Sequence, residues 1–487
     1  MTPARAIALM ATAALAACTV GPNYRRPEVP TPPAFTENGG AARTSLPPTE
    51  ADLSRWWLQF RDPVLQRLIQ RALASNLDLG VAASRVRQAR FQEKIAGAAE
   101  WPTVNATGTA VTFNSNRSSS SAPASGGSGG AAGAPPSGGF QLPGHLNLYS
   151  AGFDATWEVD LFGGVRRSVE EAKANSEAAV WARRDGEVTL TAEVANDYFT
   201  LREVQTRIAV GQQELARQKD IGALVAARRK AGFVTNLDVN QQTGVTVTAA
   251  AQLRQLEGQE RTQIHALAVL LGEPPETLEP ELERSGVVPG PPPSLPVGLP
   301  SDLLRRRPDI REAERKLAAA NAEIGVQTAN LYPKLDLIGL ASFASMSLGN
   351  LFAYQNLSSA ALGMATEPIF NAGKTRAQIR VAREEAAQAD LAYRSAVLGA
   401  LRDVEDALAR FRSEEARRAQ LAKAVAAATN SLTIARDQYK VGLVTFLNVY
   451  TAENAQLNAR DQLVQSDAQS AADLISLYKA LGGGWST

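Results

Sequence analysis

Lys230-Ala-Gly-Phe-Val-Thr-Asn-Leu-Asp-Val239 recurs as Lys440-Val-Gly-Leu-Val-Thr-Phe-Leu-Asn-Val449, one phrase written twice in a single chain. A second pair lies upstream of each. Asn76 to Trp101-Pro102 matches Arg307 to Tyr332-Pro333, with Asp78 on Asp309, Val86 on Leu317, Ala89 on Ala320 and Gly108 on Gly339. Self-similarity at this scale means a duplicated structural unit, and it organises everything else. The two pairs are not equally far apart, so copy 1 holds extra chain between Gly108 and Lys230. Residues 114–139, nearly all Ser, Gly, Ala and Pro, supply it as a flexible loop.

Each copy reads as a helix, two strands and two very long helices. The helical rhythm is clearest at Val397, Leu401, Val404, Leu408 and Phe411, then Leu421, Val425, Ala428, Leu432, Ala435 and Tyr439, alternating steps of three and four. Such spacing is a coiled-coil seam. Val194, Tyr198, Leu201, Gln205 and Ile208 answer it in copy 1. Val165 to Arg229, taken as one helix at 1.5 Å per residue, would be about 100 Å long. The strands follow another period. Tyr149, Ala151, Phe153, Ala155, Trp157 and Val159 share one face, against Ser150, Gly152, Asp154, Thr156, Glu158 and Asp160 on the other. This alternation fits an outer-membrane barrel strand, and equally a half-buried strand of a soluble sheet. Leu335, Leu337, Gly339, Ala341 and Phe343 repeat it less cleanly. Four strands cannot close a barrel, and an open edge in lipid leaves backbone groups unpaired, so the strands must be pooled between chains.

The expected boundaries are a signal peptide at 1–17, a Pro-rich tail at 18–55, repeat 1 at 56–272, a Pro-rich connector at 273–300, repeat 2 at 301–482 and a short tail at 483–487. Hairpins fall at 102–160 and 333–370, and the helical tips at 230–236 and 440–446. The signal peptide rests on Arg5 and the apolar run Ala6 to Ala17, too short to span a bilayer. Leu15-Ala16-Ala17 then leads into Cys18 in the manner of a bacterial lipobox, which would acylate the thiol; the alternative is a free thiol in an apolar helix. No later stretch has eighteen uncharged apolar residues.

The 487 residues carry 50 basic and 49 acidic side chains, a net charge of +1, which gives no field for nucleic acid. One cysteine and two histidines, His145 and His265, exclude an intrachain disulfide and leave no Cys/His metal site. Gly126-Gly-Ser128-Gly-Gly130 fits a serine-hydrolase pattern literally, but lies inside the low-complexity loop without the strand–turn–helix context. Neither catalysis nor a cofactor is expected beyond the lipid on Cys18.

Several motifs now combine: Cys18-Thr-Val-Gly-Pro-Asn-Tyr-Arg-Arg-Pro27, Trp56-Trp57 with Phe60-Arg-Asp-Pro63, Asp160-Leu-Phe-Gly163, Arg306-Arg-Pro-Asp309 and the twin Lys-x-Gly-x-Val-Thr tips. Together they resemble the TolC-like outer-membrane factors, specifically the NodT-type lipoproteins of tripartite efflux pumps, over essentially the whole mature chain. The resemblance implies an α+β membrane protein: a homotrimer with a 12-stranded β-barrel and a 12-helix α-barrel in the periplasm. It also implies a periplasmic adaptor and an inner-membrane RND-type pump as partners, palmitate on Cys18, and outer-membrane sorting because Thr19 is not acidic. A heavy-metal efflux or type I secretion duct is the alternative within the family, and a coiled-coil adhesive lipoprotein the alternative outside it.

Gly232 and Gly442 each end a long helix, where glycine lets the chain reverse. The family likeness adds adaptor docking at these tips, by Gly232, Val234, Thr235, Gly442, Val444 and Thr445; simple helix capping explains the glycines equally well. Thr235-x-x-Asp238 resembles a capping box. The resemblance instead bonds Asp238 to Tyr439 as a resting gate. Asn448 and Thr451 stand where relatives place a ring of aspartates, leaving Glu453 as the nearest acid, and Val444 replaces an arginine that some members carry.

Overall fold

The computed structural model describes residues 19–38, 53–114, 145–283, 286 and 300–485, so Cys18, the signal segment and nearly all of the Ser/Gly loop lie outside the described residues. In chain order the main elements are α1 (Pro63–Ser75), α2 (Leu77–Ala98), β1 (Thr103–Asn114), β2 (His145–Val159), α3 (Gly164–Lys230) and α4 (Asn236–Leu270). The second copy follows as α5 (Pro300–Arg306), α6 (Pro308–Ala329), β3 (Lys334–Ser345), β4 (Leu357–Thr366), α7 (Lys374–Lys440) and α8 (Phe446–Ala480). Both α3 and α7 have 67 residues, and both α4 and α8 have 35, so the duplication is structural as well as sequential. The single leading helix expected in each copy is in fact two. Asn76 breaks the first pair, with its Oδ1 accepting from the Leu79 amide at 2.9 Å, and Pro308 starts the second helix of the other.

The chain divides into two compact units. One holds the strands, in a single antiparallel sheet of order β1-β2-β3-β4. Each copy contributes one hairpin, and β2 pairs with β3 to join them, Phe153 opposite Ala341 and Trp157 opposite Leu337. Register places Val104, Phe153, Trp157, Leu337 and Phe343 on one face. The other face carries Asn105 donating to Asp154 at 3.0 Å, and the Lys334–Glu158 ion pair at 3.3 Å. Copy 2 is less strict: Ile338, Leu340, Leu362 and Met364 share the face of the charged residues. Every residue of β4 is exposed in the single chain.

The segment that follows Cys18 is tied into this same unit. The Val20 amide donates to the Phe162 carbonyl at 3.0 Å, and Arg167 donates to the Val20 carbonyl at 3.2 Å and to Asn23 Oδ1 at 2.7 Å. Asn321 donates to the Pro22 carbonyl at 3.0 Å. Gly21 has φ +89°, and a Cβ there would lie 2.5 Å from the Cα of Gly325. Backbone meets backbone at that point, which leaves no room for a side chain.

The other unit has an aromatic centre that explains the Trp56-Trp57…Asp62-Pro63 motif. Trp56 stacks on Tyr478 with centroids 5.1 Å apart. Arg61, at φ 55°, ends a short 3-10 turn, and Asp62 then caps α1 by accepting from the Val64 and Leu65 amides. Its other oxygen accepts from the Tyr198 hydroxyl at 2.6 Å, and Arg202 donates to that same hydroxyl at 2.9 Å. Arg307 forks onto Asp309 at 3.0 and 2.7 Å while also reaching Asp403 and the Ala480 carbonyl, the structural use of the Arg306-Arg-Pro-Asp309 run. The coiled-coil seam lies where its period predicts: Val194, Tyr198, Leu201, Gln205 and Ile208 are buried, as are Val397, Val404, Leu408 and Phe411.

The glycine contact generates a test. Gly21→Val should cost roughly 1–3 kcal/mol of overpacking. It should free residues 19–24, read as faster proteolysis before Arg25 with the β signal in circular dichroism unchanged; unaltered cleavage would mean the tail is held elsewhere.

Candidate docking tip and gate

Both long hairpins turn by the same device. Gly232 (φ +80°) and Gly442 (φ +83°) follow the last turns of α3 and α7, and neither has a neighbour within 4 Å of a would-be Cβ, so backbone conformation alone demands glycine. The next amides reach back over the helix ends, Phe233 to the Arg228 carbonyl at 3.0 Å and Leu443 to the Gln438 carbonyl at 2.9 Å. Thr235 and Thr445 then sit at the N-caps of α4 and α8.

The two tips share one apolar core. Val225, Leu432, Tyr439, Phe446 and Val449 are buried together, with Val234 and Val444 packed against them. This corrects part of the expected docking set: Val234 and Val444 face inward and hold the tips together. The side chains left outside are their neighbours Phe233, 80% exposed, and Leu443, 75% exposed, with Val441, Leu237 and Leu447 nearby. Large apolar groups beside a reversing glycine are the signal that sequence reasoning passed over.

Asp238 and Tyr439 line one cleft of about 720 Å³ at the tips, but they are not bonded to each other. Asp238 Oδ2 accepts from both the Thr235 amide and hydroxyl at 2.8 Å, completing the capping box. Those two bonds, the amide first, hold its carboxyl below the usual carboxylate range. Tyr439 is engaged by Arg228 instead. The guanidinium lies 4.3 Å over the phenol ring and donates to the Tyr439 and Lys440 carbonyls at 3.3 and 3.4 Å. One arginine of tip 1 thereby caps the C-terminus of α7 and covers the tyrosine of tip 2. No sequence motif announced it. The Asp238–Tyr439 bond is absent because the nearer Thr235 donors occupy the carboxylate.

Glu453 is also not where a pore-lining acid would be. It is 1% exposed, and Arg436 donates to it at 2.7 Å. It belongs to a buried polar layer in which Gln218 donates to Glu214 at 2.6 Å and Gln242 donates to the Gln218 side chain at 2.8 Å. Burial first, then the charge of Glu214, pushes the Glu453 carboxyl up, with Arg436 opposing. Asn448 is in contact with Thr445 through its amide at 3.1 Å. Of the histidines, His265 faces Glu279 at 3.3 Å. Among the described residues no group of three or more His, Cys, Asp or Glu could hold a metal, and no helix is long and apolar enough to cross a membrane.

A twice-written hairpin-and-coil chain of this kind has known counterparts. The chain is 33% identical over 439 residues to the pyoverdine export outer membrane protein OpmQ of Pseudomonas aeruginosa, spanning 89% of this chain and 88% of that protein. It is 30% identical over 479 residues to the toluene efflux pump outer membrane protein TtgC of Pseudomonas putida, at 97% and 93% coverage. It is 29% identical to the cation efflux system protein CusC of Escherichia coli over the full length of both. The solved structure of the outer-membrane channel OprN superposes with a TM-score of 0.86 at 31% identity, covering 96% of this chain and all of that one. The family model described as outer membrane efflux protein matches residues 68–273 and 299–483, the two copies in turn, and this chain belongs to that family.

Proposed function

We propose that this outer-membrane efflux channel is the exit duct of a tripartite system, a passive homotrimer opened by a periplasmic adaptor and an inner-membrane RND-type pump. One observation carries the reading: a four-stranded sheet with an apolar face and two free edges, on the same chain as two 67-residue helices that end in paired tips. Three copies would supply twelve strands and twelve long helices. The relatives are named for pyoverdine, toluene and cations, so the duct is read as general and the choice of cargo is assigned to the pump. No catalytic step is needed. Acylation of Cys18 would place its lipid at the segment Thr19–Tyr24 seated beside the strand ends, adding about 0.8 kcal/mol per buried methylene. Purified trimer in planar bilayers should conduct, and a silent bilayer would favour a structural stalk.

Docking is assigned to the exposed apolar tip residues with Gly232, Thr235, Gly442 and Thr445 as the turn that presents them. An adaptor hairpin of coiled-coil type would bury Phe233 and Leu443, anchors each worth about 2 kcal/mol or more. Phe233→Ser with Leu443→Ser should therefore weaken adaptor binding by at least roughly a hundredfold. Pump-dependent resistance should fall with it while assembly and bilayer conductance persist; resistance at the wild-type level would move docking off the tips.

The gate is read as the contact between the tips, with Tyr439, Asp238 and Glu453 in or beside it. Arg228→Ala should raise resting conductance severalfold, since it removes the cap on α7 and the cover of Tyr439. Asp238→Ala should cost only the N-cap, about 1 kcal/mol. Equal opening by both variants would return the latch to the carboxylate.

Glu453 adds a pH dependence with a definite sign. Its folded carboxyl, facing Glu214 of α3 and Arg436 of α7, holds a proton more tightly than the unfolded one. The tip packing is then firmest below the unfolded value of about 4.3 and weakens as pH rises through the raised folded value. Hydrogen exchange at the ends of α7 and α8 should quicken over that window beyond its intrinsic rate, and Glu453→Gln should flatten the trend. A trend that survives in Glu453→Gln would place the titrating group elsewhere.

A further inference from the structure

We infer the residue-by-residue seam by which one chain joins the next: β4 of one copy pairs antiparallel with β1 of another, with Ala361 opposite Thr112, Leu362 opposite Val111 and Thr366 opposite Thr107. The inference rests on the multimeric duct proposed above and takes its template from the chain itself. Thr103 pairs with Thr156 in the first hairpin and Lys334 with Thr366 in the second. Since β1 and β3 both have 12 residues and start just after the matching Trp101-Pro102 and Tyr332-Pro333, Thr103 is equivalent to Lys334 and Thr156 to Thr366. The start of α3 at Gly164 and of α7 at Lys374 keeps the same correspondence beyond the strands.

The β2–β3 junction is the one place where copy 1 meets copy 2 inside the sheet. There Ala151 faces Phe343, Gly152 faces Ser342 and Thr156 faces Ile338. Translating each residue to its equivalent gives the β4–β1 seam stated above. An independent check is the direction of the side chains. Ala361 lies on the face of Phe343 and Trp157, and Thr112 lies on the face of Val104 and Phe153, which is that same apolar face. A register one residue off would turn every side chain of β4 to the wrong side. The translated register keeps the faces continuous, which nothing in the translation guaranteed.

Exposure supports the same occupant. Phe162, just past β2, stacks on Tyr332, just before β3, with centroids 4.7 Å apart. The residues flanking the free edges have no such cover: Trp101, before β1, is 72% exposed, and Phe370, past β4, is 89% exposed. A second copy seated in register brings these two ends of the seam together and gives both a neighbour.

Cysteine pairs read the register directly. Thr112→Cys with Ala361→Cys is the in-register pair, and Ala110→Cys with Ala361→Cys is slipped by two on the same face. Directly opposed Cα atoms lie about 4.5–5.5 Å apart. A slip of two takes them to roughly 8 Å, beyond the reach of a disulfide at about 7 Å. Oxidation in outer membranes should give covalent dimers and trimers from the first pair on the order of tenfold more than from the second, with the parent chain as the background. All three positions are small, so assembly is expected in each variant. Equal or greater cross-linking of the slipped pair, or none from either, overturns the seam. In-register cross-links in a chain that conducts nothing uphold the seam and sink the duct.

Discussion

A peptide amide in hydrocarbon must find a partner, and each one left unpaired costs several kcal/mol. Four strands meet that requirement at three junctions and fail it at two edges. The remaining architecture reads as a response. A chain that contains its repeat twice already builds, between β2 and β3, the junction that its edges need. Repetition supplies the closing surface without a separate design for it. The small residues of β4, Ser, Ala and Gly through much of its length, leave such an edge free to accept a neighbour closely.

The tips face the opposite demand, because they must hold and yet release. Their packing is mixed accordingly. An apolar cluster of Val225, Leu432, Tyr439, Phe446 and Val449 lies near the turn, and a buried layer of Glu214, Gln218, Gln242, Glu453 and Gln456 lies behind it. Buried polar groups stabilise little in net terms, since water offers them the same bonds; what they confer is a unique register. Separating helices along such a layer costs less than separating an equal area of leucine. A seam that opens on demand is better built this way than from a continuous apolar core.

Local signals were legible in the sequence and distant ones were not. The period of Tyr149 to Val159, the heptads around Val404 and the twin glycines each follow from residues within a few positions of one another. Thr235-x-x-Asp238 declared its own capping box. Arg228 reaches Tyr439, 211 residues on, and nothing near either residue encodes that choice. Glu453 was read as a pore acid because its neighbours in sequence are polar, yet helix rotation turns it inward to Arg436. Val234 and Val444 were chosen for the tip surface while Phe233 and Leu443 hold it, a difference of one residue on a tight turn. The back-to-back glycines 21 and 325 belong to segments with no common pattern, so only the fold reveals why both are small.

Where the two copies agree and where they differ separates backbone demands from contacts. Gly232 and Gly442, Thr235 and Thr445, and Val234 and Val444 are the same in both, because both turns need the same φ, cap and inward anchor. At the linking positions the copies diverge: Arg228 corresponds to Gln438, Tyr439 to Arg229, Arg436 to Ala226, Glu453 to Thr243 and Glu214 to Ala424. The seam within a chain therefore carries an arginine on a tyrosine and a buried ion pair. In a ring of copies, the seam between chains would set Gln438 toward Arg229 and Ala226 toward Thr243 at those places, with neither the ring contact nor the ion pair. Two kinds of seam alternate, and only one holds a titrating carboxylate. A proton or a partner that acts on Glu453 can then loosen three seams of six while the others keep the assembly together.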